Sequence, residues 1–219
     1  MRQSGILMHL SSLPSPEGIG TLGAEARKFA DFLSQAGCGI WQVLPISPTG
    51  FAESPYQCFS TFAGNPLLID LRTLVKERIL PPIEWPALGE DPQRVDFSRV
   101  IGFKRSMLEK AFRHAGKKLQ AGLITFREEN GWWLEDYALF MALKEHFGGI
   151  SWLDWPDEGI RMRRAGALRR SREELKGQVD EHVFIQYLFF RQWHALKDYA
   201  NGKGVQIFGD MPIYVAEDS

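Results

Sequence analysis

The chain has 219 residues, 44% hydrophobic and 24% charged, which is enough apolar material for one sizeable core and too much for a disordered segment. Its 26 basic and 27 acidic residues are interspersed and leave a formal net charge of -1, which argues against a nucleic-acid partner and favours neutral ligands. With only Cys38 and Cys58 present there is no disulfide framework, and the composition suits a reducing compartment.

The first strand is expected at residues 5–10, GILMHL, ending in the Ser-, Pro- and Gly-dense stretch SSLPSPEGIG. The mostly apolar run Ile6 to Leu10 is too short for a signal-peptide core, and no window approaches the length of a membrane span. A cytoplasmic location is therefore expected. A helix follows, started by Thr21 or Gly23, with Ala24, Phe29, Ala30, Phe32 and Leu33 at helical spacing and Gly37 as its stop. Residues 40–46, IWQVLPI, form a second apolar run bounded by Gly39 and by Ser47, Pro48, Thr49 and Gly50. Strand, helix and strand make a βαβ unit, whose strands pair in parallel through a right-handed crossover.

The loop after that strand, FAESPYQCFSTFAGNPLLID at 51–70, mixes two kinds of side chain. Phe51, Tyr56, Phe59 and Phe62 offer flat apolar faces, and Ser54, Gln57, Ser60, Thr61 and Asn65 offer hydrogen-bonding groups. A sugar, with CH faces and hydroxyl edges, suits that mixture, and so does a Phe-rich loop folded over its own core.

Residues 72–180 depart from the βαβ rhythm and read as a mostly helical insertion between a first unit, 1–71, and a last one, 181–219. FKRSMLEKAFRHA at 103–115 is amphipathic, and WLEDYALFMALKEHF at 133–147 is apolar enough to pack inside. Trp132 and Trp133 are expected in the core. The arginine-rich stretch 161–172 is followed by Glu173 and Glu174 and reads as a solvated helix face. A long helix at 182–204 then leads to a third buried strand, VQIFGDMPIYV at 205–215. Three strands alternating with helices match the opening of a (β/α)8 TIM barrel with an inserted helical subdomain, or a doubly wound sheet.

In a parallel barrel the polar residues just beyond each strand carry the chemistry. Here these are His9, Ser11 and Ser12, then Ser47 with the SPYQ loop, then Asp210. Asp210, between apolar residues in GDMP, suits binding of sugar hydroxyls, orientation of a catalytic group, or capping of a turn. His9 reads as a satisfied core histidine. The chain shows no metal-ligand spacing, phosphate loop, G-x-G-x-x-G or G-x-S-x-G, so neither a metal nor an organic cofactor is expected.

HLSSLPSPEGIGTLG, GIWQVLPISPTGFAESPYQCFSTFAGNPLLID, DYALFMALKEHFGG and GDMPIYVAEDS together resemble the bacterial 4-α-glucanotransferases, the amylomaltase or disproportionating-enzyme family. The resemblance runs in order from about residue 4 to the last residue. It implies a (β/α)8 barrel with inserted subdomains that transfers α-1,4-glucan segments between malto-oligosaccharides, with glucose as an acceptor. It implies that Ser54 and Tyr56 contact the glucan near the cleavage point and that Asp210 binds sugar beside the catalytic centre. Gln57, Asn65 and Ser47 are weaker candidates. So is Phe51, where many members carry tyrosine in a secondary glucan groove, so that the stacking face is kept and a hydroxyl lost.

The family's nucleophilic aspartate lies in an R-x-D-H motif, and its other catalytic carboxylates follow on later strands. None of these is found here, so no catalytic residue is assigned in the chain. Retaining transfer needs two carboxyl groups roughly 5 to 5.5 Å apart. The chain is accordingly expected to be an N-terminal part of such an enzyme, inactive alone. A carbohydrate-binding or structural fragment without turnover, and an α-glucan hydrolase in the full-length form, are the alternative readings. No nucleic-acid, membrane or obligate protein partner is expected.

Overall fold

Three short parallel strands organise the chain in the computed structural model, which describes residues 3–88, 93–115, 118–214 and 216–219. β1 (Gly5–Leu7), β2 (Ile40–Gln42) and β3 (Gln206–Phe208) lie in that order, with Ile6 opposite Trp41 and Trp41 opposite Ile207. Hydrogen bonds from Met8 N to Gln42 O (3.0 Å) and from Val43 N to Phe208 O (2.9 Å) carry the pairing past the strand ends. β2 is central, so Trp41 is fully buried, and its Nε1 donates to Met8 O at 2.8 Å.

The crossover from β1 to β2 is α1 (Ala24–Gln35), which buries Ala26, Ala30 and Leu33 and closes at Gly37, whose φ of 71° suits glycine. The crossover from β2 to β3 is much longer. It contains α2 (Leu71–Lys76), α3 (Phe97–Ala115), α4 (Gln120–His146), α5 (Glu158–Arg161), α6 (Ala165–Glu174) and α7 (Lys176–Gly202). α7 is the central post: Val183, Phe184, Leu188, Phe189, Leu196 and Ala200 are buried as it packs against α1, α3, α4, α6 and β3. One core joins the sheet, α1, α3 and α7, and a second joins α4, α5, α6 and the first half of α7. No helix among the described residues is long and apolar enough to cross a membrane.

A buried ion pair fixes the segment before α1 to the insertion. Lys104 on α3 bonds Glu17 and the Ile69 carbonyl (2.6 Å), while Glu17 accepts from the backbone N–H groups of Leu71 (3.3 Å) and Arg72 (3.2 Å). Burial pulls the Lys104 pKa down, and the Glu17 charge opposes that shift.

The structure corrects several expected bounds. β1 ends at Leu7, because Leu10–Ser12 turns as a 3-10 helix, and β2 ends at Gln42 rather than residue 46. The third strand is neither long nor buried: it stops at Phe208, and Phe208, Met211, Ile213 and Tyr214 are exposed, since β3 pairs only with β2 among the described residues. Val215 lies outside the described residues. α3, α4 and α7 begin earlier than the apolar periodicity suggests. Trp133 is in the core at 7% exposure, but Trp132 is 71% exposed, being the next residue along the helix and therefore turned to another face. The arginine-rich stretch is not one helix face: α5 ends at Arg161, residues 162–164 turn, and α6 begins at Ala165, so that Arg163 from the turn and Arg172 from α6 both pair with Asp136.

Candidate substrate site

The loop after β2 is folded into a lobe by its own backbone. Thr49 and Cys58 form an antiparallel bridge, Gly50 N donates to Gln57 O (2.6 Å) and Phe59 N donates to Pro48 O (3.1 Å), so Ser54, Tyr56 and Gln57 are carried at the tip. Within it Ala52 and Glu53 adopt φ of 54° and 53°, conformations unfavourable for residues with a Cβ and kept only where the surroundings enforce them. The Glu53 carboxylate accepts from the Thr49 hydroxyl and ties down that turn.

Two glutamines of α7 hold the far side of the loop. Gln186 accepts from Gly64 N (2.8 Å) and donates to Gly64 O (2.9 Å), and Gln192 makes the same double bond to Asp70 N (2.7 Å) and O (3.0 Å). Residue 64 must be glycine, because a Cβ there would sit 2.0 Å from the Phe189 ring. Asp70 in turn caps α2 by accepting from Thr73 N (2.7 Å) and accepts from the Thr21 hydroxyl (2.8 Å).

So held, the lobe meets the end of β3. The Tyr56 hydroxyl donates to Asp210 Oδ2 at 2.7 Å, and Asp210 Oδ1 accepts from Met211 N at 2.8 Å. By accepting this hydrogen bond the carboxylate raises the Tyr56 pKa above its ordinary value. Tyr56, Gln57, Asp210, Met211, Pro212 and Tyr214 line an open groove of about 420 Å3. Tyr56 is 43% exposed, which leaves ring surface free, and the exposed Asp210 keeps acceptor capacity for a ligand hydroxyl. The groove therefore pairs an apolar face with a charged acceptor, the combination that binds a sugar ring.

The other candidates fall elsewhere. Ser54 is half-buried in the lobe and Gln57 is exposed on the groove wall. Asn65 is buried, with Oδ1 accepting from Leu67 N (3.0 Å) as the cap of the 3-10 turn Pro66–Leu68, and Ser47 is buried at the base of the loop. The backbone of Phe51 belongs to the turn Phe51–Glu53, and its side chain lies outside the described residues. Ser11 and Ser12 line a separate groove. The imidazole of His9 is not satisfied: Nδ1 is buried without a partner, and burial lowers its pKa. Among the described residues no cluster of His, Cys, Asp and Glu could hold a metal ion.

Sequence reasoning missed Lys144. Its ammonium lies 5.0 Å from the centre of the Phe59 ring, donates to Ile150 O (3.1 Å) and pairs with Asp218, which also accepts from Trp152 N (3.0 Å). One buried lysine thus joins the loop, the insertion and the acidic tail. Its signal was a lysine that directly follows the apolar run YALFMAL.

A family profile described as 4-alpha-glucanotransferase matches residues 8–219. The chain is 50% identical to a 4-alpha-glucanotransferase of Thermus thermophilus over 222 residues, covering 100% of this chain and 44% of that protein. It is 41% identical to the chloroplastic/amyloplastic 4-alpha-glucanotransferase of Solanum tuberosum, again over 100% of this chain and 39% of that protein. Amylomaltase from Streptococcus agalactiae, solved in complex with acarbose, superposes with a TM-score of 0.96 at 43% identity, covering 100% of this chain and 45% of that one. The chain thus spans under half the length of the relatives it matches.

Proposed function

Because the chain belongs to the 4-α-glucanotransferase family, we propose that the protein carrying it transfers α-1,4-glucan segments between malto-oligosaccharides, with retention of configuration and with glucose among the acceptors. The observation that carries this reading is the Tyr56–Asp210 pair in an open groove at the end of β3. Tyr56 offers a ring face and a directed hydroxyl, Asp210 accepts sugar hydroxyls, and Ser54 and Gln57 supply further polar contacts at the rim.

In this proposal residues 1–71 and 181–219 are parts of a (β/α)8 barrel, and 72–180 form an inserted helical region beside the groove. The covalent chemistry belongs to carboxylates outside these 219 residues, a nucleophile and an acid that becomes the base, and needs no metal or organic cofactor. The groove residues hold donor and acceptor glucan in place and limit access of water, so that a sugar hydroxyl rather than water takes the intermediate. The substrates in this reading are maltodextrins of a cytoplasmic glycogen metabolism.

Incubating the full-length protein with maltotriose tests the reading. Glucose together with maltodextrins longer than the substrate is the expected product pattern. Reducing ends that increase without longer products would assign a hydrolase instead.

A further inference from the structure

The groove at Tyr56 and Asp210 does not end at those two residues. Pro212 and Tyr214, on its wall, also line a second hollow of about 300 Å3, whose other side is formed by Phe59, Ser60, Thr61 and Phe62 of the same loop. The two hollows make one continuous track. At its far end the Phe62 ring meets Trp132 of α4 edge-on, with centroids 4.8 Å apart and planes at 77°, and it lies 6.4 Å from the buried Trp133. Both outer rings face water, Phe62 at 54% exposure and Trp132 at 71%. Single exposed apolar side chains are ordinary, but two aromatic rings braced against each other at the end of a ligand groove form a platform. Hydroxyls flank it. Thr61 is exposed, and Ser60 Oγ accepts from Phe62 N (3.2 Å) and Ala63 N (3.3 Å), which orients that hydroxyl and leaves its O–H to donate.

We propose that the Phe62–Trp132 platform binds glucosyl units of a long α-glucan chain, continuing from those held at Tyr56 and Asp210. The proposal rests on the transferase reading of that groove. The occupant follows from continuity and charge: a chain seated in the first hollow and leaving past Tyr214 enters the second, and no charged side chain lines that second hollow among the described residues. A neutral polymer with CH faces and hydroxyl edges meets the same mixture of rings and hydroxyls along the whole track. Phe62 and Trp132 then select chain length. Short glucans fill the first hollow alone, whereas longer ones add stacking contact at the platform.

The test uses full-length protein and measures transfer to radiolabelled glucose from maltotriose and from maltoheptaose. In Trp132→Ala and in Phe62→Ala the ratio of kcat/KM for maltoheptaose to that for maltotriose is expected to fall at least fivefold, through KM. Trp132→Tyr, which keeps a flat ring, should hold the ratio within twofold of the unaltered protein, and Trp132→Leu, which keeps only apolar bulk, should not. A merely structural role would lower both donors alike. A ratio unchanged in Trp132→Ala, or kept as well by Trp132→Leu as by Trp132→Tyr, overturns the platform. Binding is read separately by 19F NMR of protein labelled with 5-fluorotryptophan, in which the Trp132 signal is the one lost in Trp132→Tyr. Maltoheptaose should shift it saturably. A signal that stays still, as it would if other residues of the full-length protein covered the ring, also overturns the platform. Turnover with a silent Trp132 sinks the platform alone, and a responding Trp132 without turnover sinks the transferase reading alone.

Discussion

The hydroxyl of Tyr56 and the carboxylate of Asp210 are 2.7 Å apart in space and 154 positions apart in the chain, one on the loop after β2 and the other just beyond β3. Each fixes the other: the phenol orients a carboxylate that is otherwise exposed, and the carboxylate holds the ring at the groove wall. Residues that act through one hydrogen bond should not behave independently on mutation. We expect Tyr56→Phe and Asp210→Asn each to lower kcat/KM for maltotriose in the full-length protein. The double variant should fall short of the sum by roughly 0.5–3 kcal/mol, the range for residues in direct contact. Strict additivity of the two effects would show that the bond has no part in turnover.

The same bond makes a prediction about pH. Asp210 raises the Tyr56 pKa above its ordinary value of 10.0 by accepting its hydrogen bond, with burial a smaller contribution in the same direction. A phenol whose pKa is higher in the folded state contributes stability that is complete below its ordinary value and is lost as pH rises through the raised one. The pair should therefore be indifferent to pH across the neutral range and fail only in strong alkali. Titration of 13C-labelled tyrosine by NMR should show Tyr56 ionising at lower pH in Asp210→Asn than in the unaltered protein. Identical titrations would mean that the carboxylate does not engage the phenol in solution.

Much of this arrangement could be read in the sequence one element at a time. The βαβ opening was legible because apolar runs stand between glycines, and Tyr56 and Asp210 were each recognisable as polar residues beyond a strand. Their union was not, because no local pattern links positions so far apart. The start of α4 at Gln120 was hidden by its polar first half, although Phe126 lies 5.8 Å from Tyr187 and 5.6 Å from Phe190, both on α7. Gln186 and Gln192 carry no local signal, being polar residues within a mostly apolar stretch of helix. Only the backbone they clasp, far away in sequence, gives them a purpose.

That clasp is itself testable. Gln186→Leu removes both partners of the buried Gly64 amide and carbonyl, and a buried polar group left unpaired costs about 1–3 kcal/mol. Chemical denaturation should show a loss of that order or larger, and maltotriose KM should rise as the loop loses its anchor. Gln186→Glu keeps an acceptor for Gly64 N–H but buries a carboxylate against Gly64 O without a cation partner, so its denaturation midpoint should fall at least as far as that of Gln186→Leu at neutral pH. An unchanged midpoint in Gln186→Leu would show that the loop is held by its other contacts.

The Glu17–Lys104 pair gives the sharpest stability test, because both side chains are fully buried and each leans on backbone as well as on its partner. Removing one member of a buried pair leaves an uncompensated charge and typically costs about 3–5 kcal/mol. Lys104→Met should therefore destabilise the full-length protein by roughly that amount, and by more than a large-to-large change at a merely apolar site would. Adding Glu17→Gln removes the stranded charge while keeping one oxygen to accept from Leu71 N or Arg72 N, so the double variant should recover part of the loss. Denaturant midpoints of the two single variants and the double variant decide the matter. If the double variant is the least stable, and by the sum of the single losses, then the pair is not coupled, and the backbone bonds made by each residue alone hold this part of the fold.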